Sequence, residues 1–514
     1  MRRTFPITLL AASLLGGCRT VGPDYAGPPA APAAPGAFAR AGDLAGTQPD
    51  TAPARWWTAL NDPPLDRLEE RALSANPNLD VARARLRQAR AALAGARANG
   101  GPNGTATALA AHARLPPLAD KLGESGSGSG GGADGAGGES GGGGGLRIPS
   151  SLNLYNVGFD ATWEIDLFGG VRRATEAAGA GAEAAQASLA DAQVSLAAEV
   201  AQAYVGLRAT QARMLLADAA IARQQRSVDL TARRVQGGTA STLDLTRLQG
   251  QLEATRAEAE PLAAQLDAAR DALAVLVGAA PGSLDAELGS PPAPASAGDT
   301  APADSVPLPP AQVAVGDPAG LLQRRPDIRA AERTLAARTA QVGQAEAARF
   351  PRLTLLGLIG IGGTHPSDLT HLDDYTAIAA PRLSWNVLDF GRNRARVDQA
   401  EGVRAEAEAH YRAAVLDALR DAEDALARFR QRRTTVATVA RARAAAAQAA
   451  RLTQARQQAG TASLIDVLDA ERQLLAADQN LAAARAALTD DFISLQKALG
   501  LGWSAPGPAV AGLP

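Results

Sequence analysis

Few side chains in this 514-residue sequence could carry covalent or metal chemistry. The only cysteine is Cys18, so the chain can form no internal disulfide and build no thiolate metal cluster. Four histidines, His112, His365, His371 and His410, are scattered, and no nucleophile motif accompanies them. No catalytic residue, metal site or cofactor is expected, and the chain does not read as an enzyme. A net charge of −2 and a pI near 6.2 give no concentrated basic face for nucleic acid. What remains is a pair of carboxylates in a distinctive setting. In Gly460-Thr-Ala-Ser463-Leu-Ile465-Asp466-Val-Leu-Asp469, two acids stand one helical turn apart just after a reversal. Ser463 and Asp466 have the spacing of a capping box, and an acid there also suits the positive end of a helix dipole. Capping does not account for Asp469.

That turn is written twice. Gly238-Thr-Ala-Ser241 precedes Gly460-Thr-Ala-Ser463, and Trp163-Glu-Ile-Asp-Leu-Phe168-Gly169 precedes Trp385-Asn-Val-Leu-Asp-Phe390-Gly391, at one spacing: 460 − 238 = 385 − 163 = 222. Asp244 and Gly278 find counterparts at Asp466 and Gly500. A repeat of this size makes the chain two copies of one structural unit. Pro77 and Pro102 match Pro326 and Pro351 at a larger spacing, 326 − 77 = 249. The surplus of 27 residues falls between the two strands of the first copy, where the Gly-rich tract 123–145 reads as a loop insertion. With no Gly-Lys-Ser/Thr and no following helix start, that tract is not a phosphate cradle. The copies disagree at the tip, where Asp469 answers Arg247.

Strands and very long helices must position these residues. Tyr155, Val157, Phe159, Ala161, Trp163 and Ile165 alternate with polar neighbours, the period of a strand with one apolar face. Tyr375, Ala377, Ala379, Leu383, Trp385 and Val387 repeat the pattern, and weaker strands are expected over Thr105–His112 and after Pro351. Helices are expected over 171–236 and 393–458, each roughly 100 Å at 1.5 Å per residue, followed by returning helices over 243–277 and 464–499. Val200, Leu207, Met214, Ile221, Val228 and Val235 recur every seven residues as in a coiled-coil seam, with Ala203, Thr210 and Ala217 between them. The expected organisation is a signal segment 1–17, a tether 18–54, a first repeat 55–280, a Pro-rich connector 281–310, a second repeat 311–500 and a tail 501–514.

The N-terminus supplies an address. Arg2 and Arg3, an apolar run over Ile7–Leu15 and Leu15-Gly16-Gly17-Cys18 have the order of a bacterial lipoprotein signal, in which the cysteine receives lipid and becomes the mature terminus. Arg19, rather than Asp, follows it, the arrangement of lipoproteins sorted to the outer membrane. No later segment has the ~20 apolar residues of a spanning helix, so any crossing must use strands closed into a barrel. Four strands per chain cannot close alone. Three chains give twelve strands and room for a lumen. Tyr155, Phe159, Trp163, Tyr375 and Trp385 would then face lipid and its interfaces, and the alternate polar residues the lumen. A soluble hairpin with one wet face fits the alternation alone equally well.

Several motifs resemble the trimeric outer-membrane efflux channels, in the lipoprotein branch that serves resistance-nodulation-division pumps. They are Val21-Gly-Pro-Asp-Tyr25, Trp56-Trp57, Asp62-Pro63, Trp163-Glu-Ile-Asp-Leu-Phe-Gly169, Arg324-Arg-Pro-Asp-Ile-Arg-Ala-Ala-Glu332, Phe350-Pro-Arg-Leu353 and Ala498-Leu-Gly-Leu-Gly-Trp503. The resemblance implies a mixed, mainly α fold: a homotrimer with a twelve-stranded barrel in the outer membrane and a twelve-helix periplasmic tunnel. It implies a periplasmic adaptor and an inner-membrane pump as partners, and the passive export of drugs or other toxic small molecules. It places the turns Gly238–Ser241 and Gly460–Ser463 at the narrowed periplasmic tip, with Asp469, Asp466 and Ile465 as gate residues. Where some members carry a latching arginine before the first acid, Ala462 stands here. Two other readings compete: the duct of a one-step protein secretion system and a lipid-tethered periplasmic coiled-coil scaffold.

Overall fold

The computed structural model of the chain describes residues 20–29, 36–42, 54–114, 151–289, 306–370 and 375–503. Cys18 and the signal before it, the insertion 123–145, His371 and the tail from 504 lie outside the described residues. Among the described residues no helix is long and apolar enough to cross a membrane.

The elements run through one order twice. The first series is α1 (Pro63–Ala75), α2 (Pro77–Ala98), β1 (Asn103–Arg114), β2 (Ser151–Ile165), α3 (Gly170–Gln236) and α4 (Thr242–Leu276). A short α5 (Asp285–Leu288) precedes the second: α6 (Pro318–Arg324), α7 (Pro326–Ala347), β3 (Arg352–Gly363), β4 (Tyr375–Ser384), α8 (Arg392–Gln458) and α9 (Leu464–Ala498). Counterparts match in length: α2 and α7 have 22 residues, β1 and β3 have 12, α3 and α8 have 67, α4 and α9 have 35. Two pairs differ: β2 and β4, at 15 and 10 residues, and α1 and α6, at 13 and 7. The fold is mainly helical with tandem repeats, as expected. β1 is longer than the expected Thr105–His112 because β2 offers paired backbone from Asn103 to Arg114, whatever the side chains.

Local chemistry sets the helix boundaries. Asp62 Oδ1 accepts from the Leu65 amide at 3.3 Å and Asp317 Oδ1 from the Gly320 amide at 2.6 Å, each just before a proline that opens the helix. The residue before the next proline ties down the far end of its own repeat: Asn76 Nδ2 donates to Leu276 O at 2.8 Å, and Arg325 Nη1 to Ala498 O at 3.0 Å. The same contact survives a change from neutral to charged donor, and in the second copy Asp327 holds the guanidinium at 2.6 Å.

The chain forms two compact units. One, made of residues 20–24, 92–178 and 339–402, holds a four-stranded antiparallel sheet in the order β1-β2-β3-β4. Its register places Ala106, Phe159, Ile359 and Ala377 in line on one face, with Trp163, Leu355, Tyr375 and Leu383 on the same side. Thr105, Asp160 and Thr162 fall on the other. That second face is less polar than the β2 alternation suggests, because β3 and β4 contribute Leu356, Leu358 and Ile378 to it.

The other unit, residues 25–91, 179–338 and 403–503, contains the main hydrophobic core. Trp56 meets Trp57 edge-on at 5.8 Å and Phe492 at 6.1 Å, and Phe429 packs on Phe492. The seven-residue seam of α3 is buried at Val200, Leu207 and Val228, with Met214 partly covered and Ala217 buried between turns. Beside it Tyr204 is wholly buried; its hydroxyl donates to Asp62 Oδ1 at 2.7 Å and accepts from Arg208 Nε at 2.8 Å, so burial raises its pKa without leaving the oxygen unpaired.

Candidate functional site

The tip is built by two reversals in the helical unit. α3 stops at Gly238 (φ +68°) and α8 at Gly460 (φ +72°), a left-handed conformation that costs glycine nothing. In each, the next amide reaches back across the last turn, Thr239 N–H to Arg234 O at 2.7 Å and Thr461 N–H to Arg456 O at 2.8 Å, the Schellman pattern. The duplicated Gly-Thr-Ala-Ser sequence therefore encodes one stop-and-turn device, used twice.

Past the turn the copies separate. Ser463 Oγ accepts from the Asp466 amide at 3.2 Å, and Asp466 Oδ2 accepts from the Ser463 amide at 2.9 Å and hydroxyl at 2.8 Å, a complete capping box. Ser241 caps differently, accepting from the Leu243 amide at 3.1 Å. The expectation that Asp244 mirrors Asp466 is thus corrected: with Ser241 engaged one residue earlier, no reciprocal box to Asp244 forms. The Ser463 hydroxyl and then its amide hold the Asp466 carboxyl below the usual aspartate range, with Arg456 adding to the effect.

Asp469 lies one turn further on, exposed, with Arg472 Nη2 at 2.8 Å. By the repeat, Asp469 and Arg472 stand where the first copy has Arg247 and Gly250. The second copy therefore carries an acid–base pair on this face, which tempers the charge the two acids alone would present. Neither Arg472 nor Arg456 was singled out by sequence reasoning. An Asp with Arg three residues on is a legible helical pair, whereas Arg456 comes near Asp466 only because the turn folds back.

Packing fixes which face of α9 points where. Leu464 and Leu468, four apart, pack against the cluster of Val228, Leu248 and Leu252, alongside Ile221 and Leu245. Ile465, Asp466 and Asp469 lie off that stripe, and Ile465 is 45% exposed. The two hairpins are thus joined by leucines, while Ile465, Asp466 and Asp469 stay exposed on the rest of α9.

In the sheet unit, Tyr155, Phe159, Trp163 and Tyr375 share the apolar face, and the indoles are tied to helix ends. Trp163 Nε1 donates to Gly100 O at 2.9 Å, and Trp385 Nε1 to Arg349 O at 3.0 Å, equivalent contacts in the two copies. Trp385 lies one residue beyond the end of β4. The residues following Cys18 are also held here. Arg173, buried, donates through Nε to Val21 O and through Nη2 to Gly22 O, both at 3.1 Å, and pairs with Asp24 at 2.6 Å. The Val21 amide donates to Phe168 O at 3.1 Å, so Val21-Gly-Pro-Asp24 is a seat for the tether, and Arg173 is its undetected partner. Among the described residues no group of acids and histidines could hold a metal.

A tandemly duplicated strand pair with long returning helices defines the class of outer-membrane channels. The outer membrane efflux protein family profile matches residues 68–279 and 318–501, and the chain belongs to that family. It is 30% identical to nodulation protein T of Rhizobium leguminosarum bv. viciae, over 96% of this chain and 92% of that protein. It is equally 30% identical to the toluene efflux pump outer membrane protein TtgF of Pseudomonas putida, over 98% and 97%. The solved outer-membrane channel OprN superposes with a TM-score of 0.78 at 33% identity, covering 94% of this chain and 99% of that one. The protein is an efflux protein of the outer membrane, and the family is one of ducts rather than enzymes.

Proposed function

We propose that the protein is the passive exit duct of a tripartite efflux system that exports drugs or other toxic small molecules. Three copies close a twelve-stranded barrel in the outer membrane, and their helices line a periplasmic tunnel. Cys18 carries the lipid that anchors each chain. An inner-membrane pump supplies the energy and a periplasmic adaptor links the two. The reversals at Gly238–Ser241 and Gly460–Ser463 form the periplasmic end, where Asp466, Asp469 and Ile465 line the constriction.

The observation that carries this reading is the register of the sheet: four antiparallel strands gather Phe159, Trp163, Ile359, Tyr375 and Leu383 on one exposed face. Such a face suits lipid, and both outer edges of the sheet await a neighbour. An efflux cargo is supported by the likeness to a toluene efflux pump component over nearly the whole chain. The test pairs two measurements. Purified protein in planar bilayers should give discrete conductance steps, and a deletion strain should become sensitive to dyes, detergents and solvents. Absence of steps refutes the duct. Unchanged sensitivity with loss of a secreted protein refutes the cargo.

A further inference from the structure

Where β1, β2 and β3 meet the ends of α2 and α7 and the start of α3, the sheet unit forms a cleft of about 770 Å3. That volume suits a drug-sized molecule. Three charged side chains line it: Glu164, Asp166 and Arg352. Asp166 is already engaged, since its Oδ1 accepts from the Val171 amide at 3.1 Å and its Oδ2 from the Arg172 amide at 2.9 Å, which caps α3. Glu164 and Arg352 have no side-chain hydrogen bond or ion pair among the described residues. One acid and one base are left over.

The register sets these two charges side by side. Glu164 stands opposite Thr354, and Arg352 lies two residues along β3 on the same face, a diagonal separation of about 7–8 Å between backbones. Both fall on the face turned away from Phe159 and Trp163. Asn99 and Gln344 add amides to the cleft, and Phe168 and Val171 give it an apolar wall. The internal repeat shows that the fold does not require the charges. Glu164 is answered by Asn386 at the spacing of 222 and Arg352 by Asn103 at 249, so both become neutral amides together in the other copy, although its strands and helices follow the same order. A neighbouring acid and base that are confined to one copy and leave each other unpaired suit a ligand carrying the opposite pattern.

We propose that this cleft binds small zwitterions with an apolar body, the ammonium on Glu164 and the carboxylate on Arg352, as a stopping point on the exit path. Its place on that path rests on the duct reading above, in which this face of the sheet lines the lumen. Retention has to be weak if cargo is to keep moving, and a ligand of about a dozen non-hydrogen atoms held by two solvent-reaching charges should dissociate on the order of 1–10 mM. Each such ion pair changes affinity about threefold to fivefold.

Phenylalanine is the probe, with phenylalanine amide and N-acetylphenylalanine as analogues that keep one charge each, all at about pH 6, where a free α-amino group is protonated. Dissociation constants come from saturation-transfer NMR on purified full-length protein in detergent. Phenylalanine should bind about fivefold more tightly than either analogue. Glu164→Gln should bring it down to the affinity of N-acetylphenylalanine, and Arg352→Gln to that of the amide. Arg382→Gln, on the same face of the sheet but outside the cleft, should leave all three within about twofold of the parent. Equal binding of the three compounds overturns the proposal, as does a preference that survives both substitutions or is lost equally in Arg382→Gln. The duct reading is separable: conductance steps in bilayers without discrimination among the compounds sink the cleft alone, whereas discrimination without conductance steps sinks the duct alone.

Discussion

Leu248 is where the joining of the two tip hairpins can be tested. It is fully buried, beside Val228 and Leu252, in the cluster that receives Leu464 and Leu468 from the other hairpin. Leu248→Ala removes a buried isobutyl group. Comparable core truncations cost about 2.7–5 kcal/mol, and a small cluster near helix ends can collapse partly into the gap, so about 3 kcal/mol is expected. Because those contacts bridge the hairpins, the loss falls on local opening of the tip. At 1.4 kcal/mol per tenfold, the open population should rise about a hundredfold. Hydrogen exchange of peptides covering 242–252 and 464–475 reads that population directly. Leu273→Ala is the matched control: also fully buried on α4, but in the main core. It should lower global stability by a similar amount and leave tip exchange within about threefold of the parent. Tip exchange that is unchanged in Leu248→Ala, or equally raised in Leu273→Ala, would refute the assignment of this cluster as the tie between hairpins.

Further expectations concern the same region and its supports. Gly460→Ala places a side chain at φ +72° with no atom nearby to clash, so the backbone conformation alone should cost about 1–2 kcal/mol, read as faster exchange at the turn; Ala462→Gly, the neighbouring control, should not reproduce it. Asp466 is held below its ordinary value of 3.8 by Ser463, so its ionised form favours the folded tip; that contribution is present above about pH 4 and lost as pH falls through the lower folded value. Tip protection should therefore weaken as pH falls below about 4, and Asp466→Asn should abolish that acid sensitivity; equal sensitivity in the variant would refute it. Arg472→Ala should expose the full charge of Asp469 and raise cation over anion selectivity in bilayer recordings, whereas unchanged reversal potentials would place Asp469 away from the ion path.

Asp490 behaves in the opposite sense. Burial first, then Asp491, raises its pKa to about 6 against the pull of Arg432, and its Oδ1 has no hydrogen-bond partner among the described residues. The folded state binds this proton more tightly, so stability from it is present below about pH 4 and lost as pH rises through 6. Asp490→Asn should remove that slope and be more stable than the parent at pH 7 by chemical unfolding; a variant less stable at pH 7 would show the carboxylate to be paired.

Much of the fold is legible because repetition is a global signal. A shared spacing located both long helices to within a residue or two at each end and matched the two turns, since Gly-Thr-Ala-Ser carries its own stop and cap. The strand of Tyr155–Ile165 was equally clear, because one face is apolar and the period is two. The polar face was harder to read: Leu358 and Ile378 join Asp160 there only through pairing across β3 and β4, which no single strand reveals.

Sequence by itself thus determined the duplicated architecture, the helix stops and the apolar strand face, all of which depend on residues close in the chain or on a fixed offset. Tertiary structure decided what depends on neighbours brought together from afar. Ser241 and Ser463 look alike in sequence, yet one caps alone and the other completes a box with Asp466. Arg173 reads as one basic residue among many until folding places it on Val21, Gly22 and Asp24. β4 carries the strand pattern through Val387 but pairs only to Ser384, because a strand extends only as far as another backbone offers it hydrogen bonds.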